Sequence, residues 1–101
     1  MSDLIDTLWS QFAVETEEHI EAIELGLVEA EQNGATTELI SGLFRAFHSL
    51  KGLANAMDLT GMGRVAHLSE DIMGLVRDGG VVITRQIVSV LLDAVDVIKT
   101  L

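Results

Sequence analysis

The sequence contains no cysteine and no proline. Without cysteine, the chain has no disulfide, no thiolate metal ligand and no thiol nucleophile. Without proline, long uninterrupted helices are permitted, because proline is the residue that breaks or kinks a helix. Aromatic residues make up only 4% of the 101 residues, whereas hydrophobic residues make up 49%. A composition this rich in aliphatic residues favours a helical bundle over a β-sandwich.

Basic residues are also scarce, with 6 Lys and Arg against 16 Asp and Glu and a net charge of −10. A negatively charged surface repels phosphates and anionic lipids, so we expect neither nucleic acid nor membrane as a partner. No apolar run approaches the roughly 18 residues of a membrane span. The N-terminus also lacks the charged start and apolar core of a signal peptide. We therefore expect a cytoplasmic protein with one domain over residues 1–101.

Four helical segments with short breaks account for nearly the whole chain. Apolar residues recur every three to four positions in each segment. The segments run from about 3 to 32, from just after residue 36 or 37 to about 57, from about 61 to 78, and from 84 onward. Because short connections favour antiparallel neighbours, the sequence predicts an all-α, up-down-up-down four-helix bundle. We expect the first helix to be longer than the others and to project from the bundle.

Four local features refine this prediction. Thr16 interrupts the apolar stripe of the first segment, where we expect a bend or an interruption. Thr60 is placed to cap the third helix with its hydroxyl oxygen. Met57, Met62 and Met73 are expected to fill the core. The predicted apolar seam of the third helix comprises Val65, Leu68, Ile72, Leu75 and Val76.

The histidines lie in different settings. His19 is surrounded by glutamates on the first segment, which is typical of a solvated surface position. His48 lies in mid-helix, with Lys51 and Gly52 one turn further along on the same side. A mid-helix glycine costs about 0.5–1 kcal/mol relative to alanine. Glycine at this position leaves space around the imidazole of His48, and this space is one reason for its presence despite the cost.

The second and third helices reverse direction near Leu59, and this reversal brings polar residues together. His48 and Glu70 are equally far from Leu59, so they should lie at the same height. Lys51 and His67 lie at the next level towards the turn. We therefore expect these four side chains to converge in one groove between the two helices.

Such a cluster favours phosphate chemistry at His48. A carboxylate that accepts the Nδ1–H of an imidazole leaves Nε2 as the nucleophile. Ser49 points to a neighbouring helix face, so His48 has no hydroxyl to activate. Lys51 supplies a positive charge for an incoming phosphoryl group. Two alternatives stay open, namely a purely structural His–Glu hydrogen bond and a metal site at His48, His67 and Glu70, which the ammonium of Lys51 disfavours.

The segment His48-Ser49-Leu50-Lys51-Gly52 resembles the H-x-x-K-G signature of histidine phosphotransfer (HPt) domains. The later segment Ala66-His67-Leu68-Ser69-Glu70-Asp71 resembles the H-x-x-E segment of the P1 domain of the chemotaxis histidine kinase CheA. The resemblance extends over nearly the whole chain, and the second segment is the more discriminating one.

This resemblance implies a role for each residue of the motif. His48 would be phosphorylated on Nε2, and Glu70 would hold its Nδ1–H. Lys51 and His67 would complete the hydrogen-bonded network, and Gly52 would keep access open. The domain would be a phosphocarrier that binds no cofactor or metal itself, within a two-component histidine kinase. ATP and Mg²⁺ would be used by a separate kinase catalytic domain.

The implied acceptor is an aspartate of a CheY- or CheB-like response regulator. Two other functions remain possible at this point, namely a stand-alone phosphorelay protein and a docking or dimerisation module that is not phosphorylated. The sequence departs from the family at Leu53 and Asn55, where a Gly/Ala-rich run is usual, and these residues could alter which regulator docks. The fifth helix of the family is missing from the four-helix pattern, so we expect an exposed apolar strip on the fourth helix.

Overall fold

The computed structural model describes residues 2–101 and contains four α-helices. These are α1 (Ser2–Asn33), α2 (Thr37–Ala56), α3 (Thr60–Arg77) and α4 (Arg85–Thr100). Each helix packs against the next one along the chain, and α4 packs against α1, so the bundle is closed. The predicted all-α four-helix bundle is thereby confirmed. The predicted domain over residues 1–101 also includes Met1, which lies outside the described residues.

The helix ends follow from local sequence. Gly34 and Gly79 have φ angles of 86° and 82°, a left-handed conformation that glycine adopts without a Cβ clash. Thr36 and Thr84 cap α2 and α4, where each hydroxyl oxygen accepts from a backbone N–H one turn further on, at 3.1 and 3.2 Å. These residues stop one helix and start the next close to the predicted breaks.

The turn between α2 and α3 differs from the prediction. α3 begins with Thr60 itself, and its N-cap residue, Leu59, makes no side-chain capping bond. The prediction that Thr60 caps α3 is therefore wrong. Asp58 has a positive φ of 61° and makes the reversal, so the helix starts earlier than the sequence indicates. The expected interruption at Thr16 is also not found, because α1 is continuous through it.

The core consists of aliphatic side chains from all four helices, together with Phe47. Each fully buried large apolar side chain contributes about 1.5–3 kcal/mol from the hydrophobic effect. The largest of them are Phe47, Ile23, Leu27, Leu50, Met73, Leu91, Val88 and Val95.

The apolar seam predicted for α3 is wrong in part. Leu68 and Leu75 are 65% and 55% exposed, whereas Met62, Ala66 and Met73 are buried. α3 has apolar residues on two faces, and the face that carries Met62, Ala66 and Met73 packs inward. Gly63 and Gly74 of α3 lie directly against side chains of α2, so the two helices pack closely there.

The first part of α1 extends past the other helices, as predicted. Its 32 residues account for the 47 Å length of the molecule, at about 1.5 Å per residue. Leu4, Leu8 and Trp9 are exposed there, and the buried positions of α1 begin at Ile20. Among the described residues, no helix combines the length and apolar character needed to cross a bilayer.

Candidate functional site

The hairpin of α2 and α3 places His48 opposite Glu70. Both residues lie near the middle of their helices, at equal distances from the turn. Nδ1 of His48 is 2.9 Å from Oε1 of Glu70. Because an ionised carboxylate can only accept, Nδ1 carries the proton and donates a hydrogen bond to Oε1 of Glu70. In the neutral ring, Nε2 then carries the lone pair.

Glu70 is the buried member of this pair. Its side chain is 11% exposed, compared with 62% for His48 and 24% for Lys51. Nζ of Lys51 lies 2.7 Å from Oε2 of Glu70. Burial raises the pKa of Glu70, but its contacts with Lys51 and His48 together outweigh burial and bring the pKa below the ordinary value of 4.5. Glu70 is therefore ionised at neutral pH and contacts a different partner with each oxygen.

His67 does not join this network, which corrects the expectation that four side chains converge. Its Nε2 lies 3.6 Å from Oδ1 of Asp71, a distance too long for a hydrogen bond. Its ring therefore lies near a carboxylate one turn along its own helix rather than near Glu70. On the side of the α2–α3 turn, His67 lines a cleft of about 210 Å³ together with Lys51.

The glycines near the site differ in what surrounds them. A Cβ added at Gly52, one turn from His48, would meet no atom within 4 Å. Packing therefore does not require glycine at this position. A Cβ at Gly63 would lie 2.7 Å from Oδ1 of Asn55, and one at Gly74 would lie 3.6 Å from Phe44. Gly63 and Gly74 thus allow side chains of α2 to lie against α3.

Phe44 is a neighbour of His48 that the predicted site does not include. The two rings are nearly parallel, with an angle of 12° and centroids 6.4 Å apart. The guanidinium of Arg77 lies 4.2 Å from the centre of the Phe44 ring. The sequence contains a signal for this contact, because Phe44 and His48 are four residues apart and therefore share one helix face. Phe44 limits the positions open to the imidazole on the side opposite Gly52.

The alternative metal site would need His48, His67 and Glu70 to face one point. Within residues 2–101, no three His, Asp or Glu side chains are arranged to hold a metal ion. Of the alternative ligand set, His67 is turned towards Asp71. The second oxygen of Glu70 already faces the ammonium of Lys51, which would repel a divalent cation.

Comparison with known proteins places this geometry in a family. The sequence matches the Hpt domain family over residues 7–100. The sensor histidine kinase CheAY of Helicobacter pylori is 31% identical over 99 residues, which cover 98% of this chain and 12% of that protein. The chemotaxis protein CheA of Treponema pallidum is 30% identical over 105 residues, covering 100% of this chain and 13% of that protein. The chain thus spans only a small part of the curated relatives that it matches.

Two solved structures have the same fold. One is the phosphorylated P1 domain of CheA3 in complex with CheY6 from R. sphaeroides, with a TM-score of 0.88 and 34% identity over 94% of this chain and 74% of that one. The other is the CheA phosphotransferase domain from Thermotoga maritima, with a TM-score of 0.87 and 33% identity. That similarity covers 94% of this chain and 90% of the other.

Proposed function

Since the chain belongs to the Hpt domain family, we propose that it carries a phosphoryl group on His48 between a kinase and a response regulator. The observation that carries this proposal is the 2.9 Å contact between Nδ1 of His48 and Glu70. This contact fixes the ring and its tautomer, and it leaves Nε2 as the nucleophile of a side chain that is 62% exposed. The nucleophile is thus oriented and accessible at once.

Phosphorylation forms a bond between Nε2 and the γ-phosphorus of ATP, while the bond to the β–γ bridging oxygen breaks and ADP leaves. Nε2 has no proton to lose, because the proton of the ring is on Nδ1. The phosphorylated ring is cationic, and the carboxylate of Glu70 stabilises that charge. In the second transfer, an aspartate oxygen attacks phosphorus and the electron pair of the breaking N–P bond returns to Nε2.

Three neighbours assist His48 in this proposal. Lys51 holds Glu70 in place and brings positive charge close to the phosphoryl oxygens. Gly52 leaves space for a partner to approach Nε2. His67 is 60% exposed and can rotate away from Asp71 towards an incoming phosphoryl group.

The same proposal assigns partners. ATP and Mg²⁺ belong to a separate kinase catalytic domain, and this domain itself uses no cofactor. The similarity to the sensor histidine kinase CheAY, of which the chain spans only 12%, supports this division. The complex of the R. sphaeroides P1 domain with CheY6 supports a CheY- or CheB-like regulator as the acceptor. We place the domain in the cytoplasm as part of a histidine protein kinase.

The test is incubation with ATP and a separate CheA kinase core, followed by intact mass measurement under neutral conditions. We expect one added phosphoryl group, lost in acid, and no addition to His48→Gln. His19→Gln is the matched control and should be labelled like the wild type, because His19 lies on α1. A wild-type protein without label would contradict the proposal and favour a docking module. Label on His67 in His48→Gln would overturn the assignment of the acceptor.

A further inference from the structure

Two arginines next to the site carry charges that the protein itself does not neutralise. Within residues 2–101, neither Arg45 nor Arg64 has a carboxylate within 4.0 Å, and both are exposed. The other four basic side chains each pair with an acidic residue. These four are Lys51, Arg77, Arg85 and Lys99.

Arg45 and Arg64 lie on opposite sides of His48 along the hairpin. Arg45 precedes His48 on α2 by one turn, or about 4.5 Å of helix rise. Arg64 lies on α3 towards the turn, about 9 Å of rise from Glu70, which is level with His48. Arg64 also lines the cleft of about 210 Å³ that contains Lys51.

This arrangement contrasts with the rest of the surface. Every Asp, Glu, Lys or Arg side chain of α1 is acidic, from Asp3 to Glu31. The hairpin is not purely basic, since Asp58 lines the same cleft and Asp71 lies near His67. Even so, in a protein with a net charge of −10, the two Lys or Arg side chains of residues 2–101 that lack an acidic partner lie around the proposed nucleophile. An acidic surface of a partner is repelled by α1 and attracted by the two arginines at this face.

We propose that Arg45 and Arg64 pair with acidic side chains that border the acceptor aspartate of the response regulator, and so orient it over His48. This inference rests on the proposed function. Lys51 contacts Glu70 and supplies the positive charge nearest the phosphoryl group, so we assign Arg45 and Arg64 to docking. Asn55 adds an amide beside Arg64 in the same cleft, where it can hydrogen-bond to the docked surface.

The test compares Arg45→Gln, Arg64→Gln and the double variant with Arg85→Gln. Arg85 is a matched control, because its side chain is 84% exposed on α4 and its contact with Glu31 is long, at 3.9 Å. The chain is first phosphorylated by the kinase core. Transfer to a CheY-like regulator is then measured by rapid quench over a range of regulator and salt concentrations.

For the double variant, we expect the apparent second-order rate constant at low salt to fall by about tenfold. The rate at saturating regulator should stay unchanged, and the dependence on salt should become weaker. Arg85→Gln should stay within about twofold of wild type, because an exposed charge away from the docking face contributes little to association. A double variant that matches wild type at every salt concentration would overturn the proposal. An equal loss in Arg85→Gln, or a loss in the saturating rate alone, would do the same.

A calorimetric titration of the unphosphorylated chain with the regulator separates the two proposals. If His48 takes no label but the double variant still binds the regulator more weakly than Arg85→Gln, the phosphocarrier function fails and the docking role of the arginines survives. If His48 is labelled and the variants bind equally, only the docking role fails.

Discussion

Replacement of Gly52 by alanine should raise stability and lower activity at the same time. Gly52 lies inside α2, which runs from Thr37 to Ala56, and an added Cβ would meet no atom within 4 Å. The methyl group therefore causes no clash, and alanine gains about 0.5–1 kcal/mol over glycine in a helix interior. For a domain of this size, each kcal/mol raises Tm by about 4–8 °C. We expect a rise of roughly 2–8 °C in thermal unfolding followed by circular dichroism.

The activity of this variant tests the clearance that Gly52 gives to His48. The methyl group would stand one turn from the imidazole, on the side from which a partner reaches Nε2. Phosphorylation by the kinase core should therefore be slower in Gly52→Ala. Gly42→Ala is the matched control, since it lies in the same helix and its Cβ would approach only the Arg45 guanidinium, at 4.0 Å. That control should gain similar stability without losing activity.

Two results would refute this reasoning about Gly52. A lower Tm would mean that the space beside Gly52 is not free in solution. An unchanged rate of phosphorylation, together with the expected gain in stability, would mean that glycine at this position has no role in access.

The remaining predictions concern Glu70 and a helix contact. Glu70→Ala should slow phosphorylation of His48 while the domain stays folded, and equal rates would remove Glu70 from the mechanism. Because its pKa is lowered in the folded state, Glu70 stabilises the fold above its ordinary pKa of 4.5, and this contribution is lost as the pH falls below that value. The stability difference between wild type and Glu70→Gln in urea should therefore shrink on acidification; a constant difference would contradict this. In Gly26→Ala, overpacking should cost about 1–3 kcal/mol, because the added Cβ would lie 2.9 Å from Cδ2 of Leu43. Alanine regains about 0.5–1 kcal/mol of this in the helix interior. The urea midpoint should therefore fall, whereas a midpoint raised as in Gly52→Ala would show that Leu43 moves aside.

The pairing of His48 with Glu70 could be predicted because helices have a fixed rise per residue. Once the reversal is placed near Leu59, the heights of all residues on both helices follow. The start of α3 was misplaced by one residue, yet this error is small compared with the height of a helical turn. The prediction that His48 lies opposite Glu70 therefore holds despite this error of one residue.

Side-chain direction could not be predicted in the same way. His67 lies at a level from which it can face either Lys51 or Asp71, and height alone does not decide between these rotamers. Leu68 and Leu75 are exposed for a related reason. Periodicity shows that α3 has apolar faces, but the choice between them depends on which face lets α2 approach closely.

A nucleophile that serves two partners has to be exposed, yet its ring has to be held in one orientation. Adjacent residues of α2 meet these requirements separately, because successive side chains point about 100° apart around a helix. Phe47 is fully buried and fixes the helix in the core, while His48 next to it is 62% exposed. The orientation of the imidazole then depends on Glu70, whose own position is fixed by burial and by Lys51. Substitution of Phe47 should therefore affect folding, whereas substitution of Glu70 should affect the chemistry of His48.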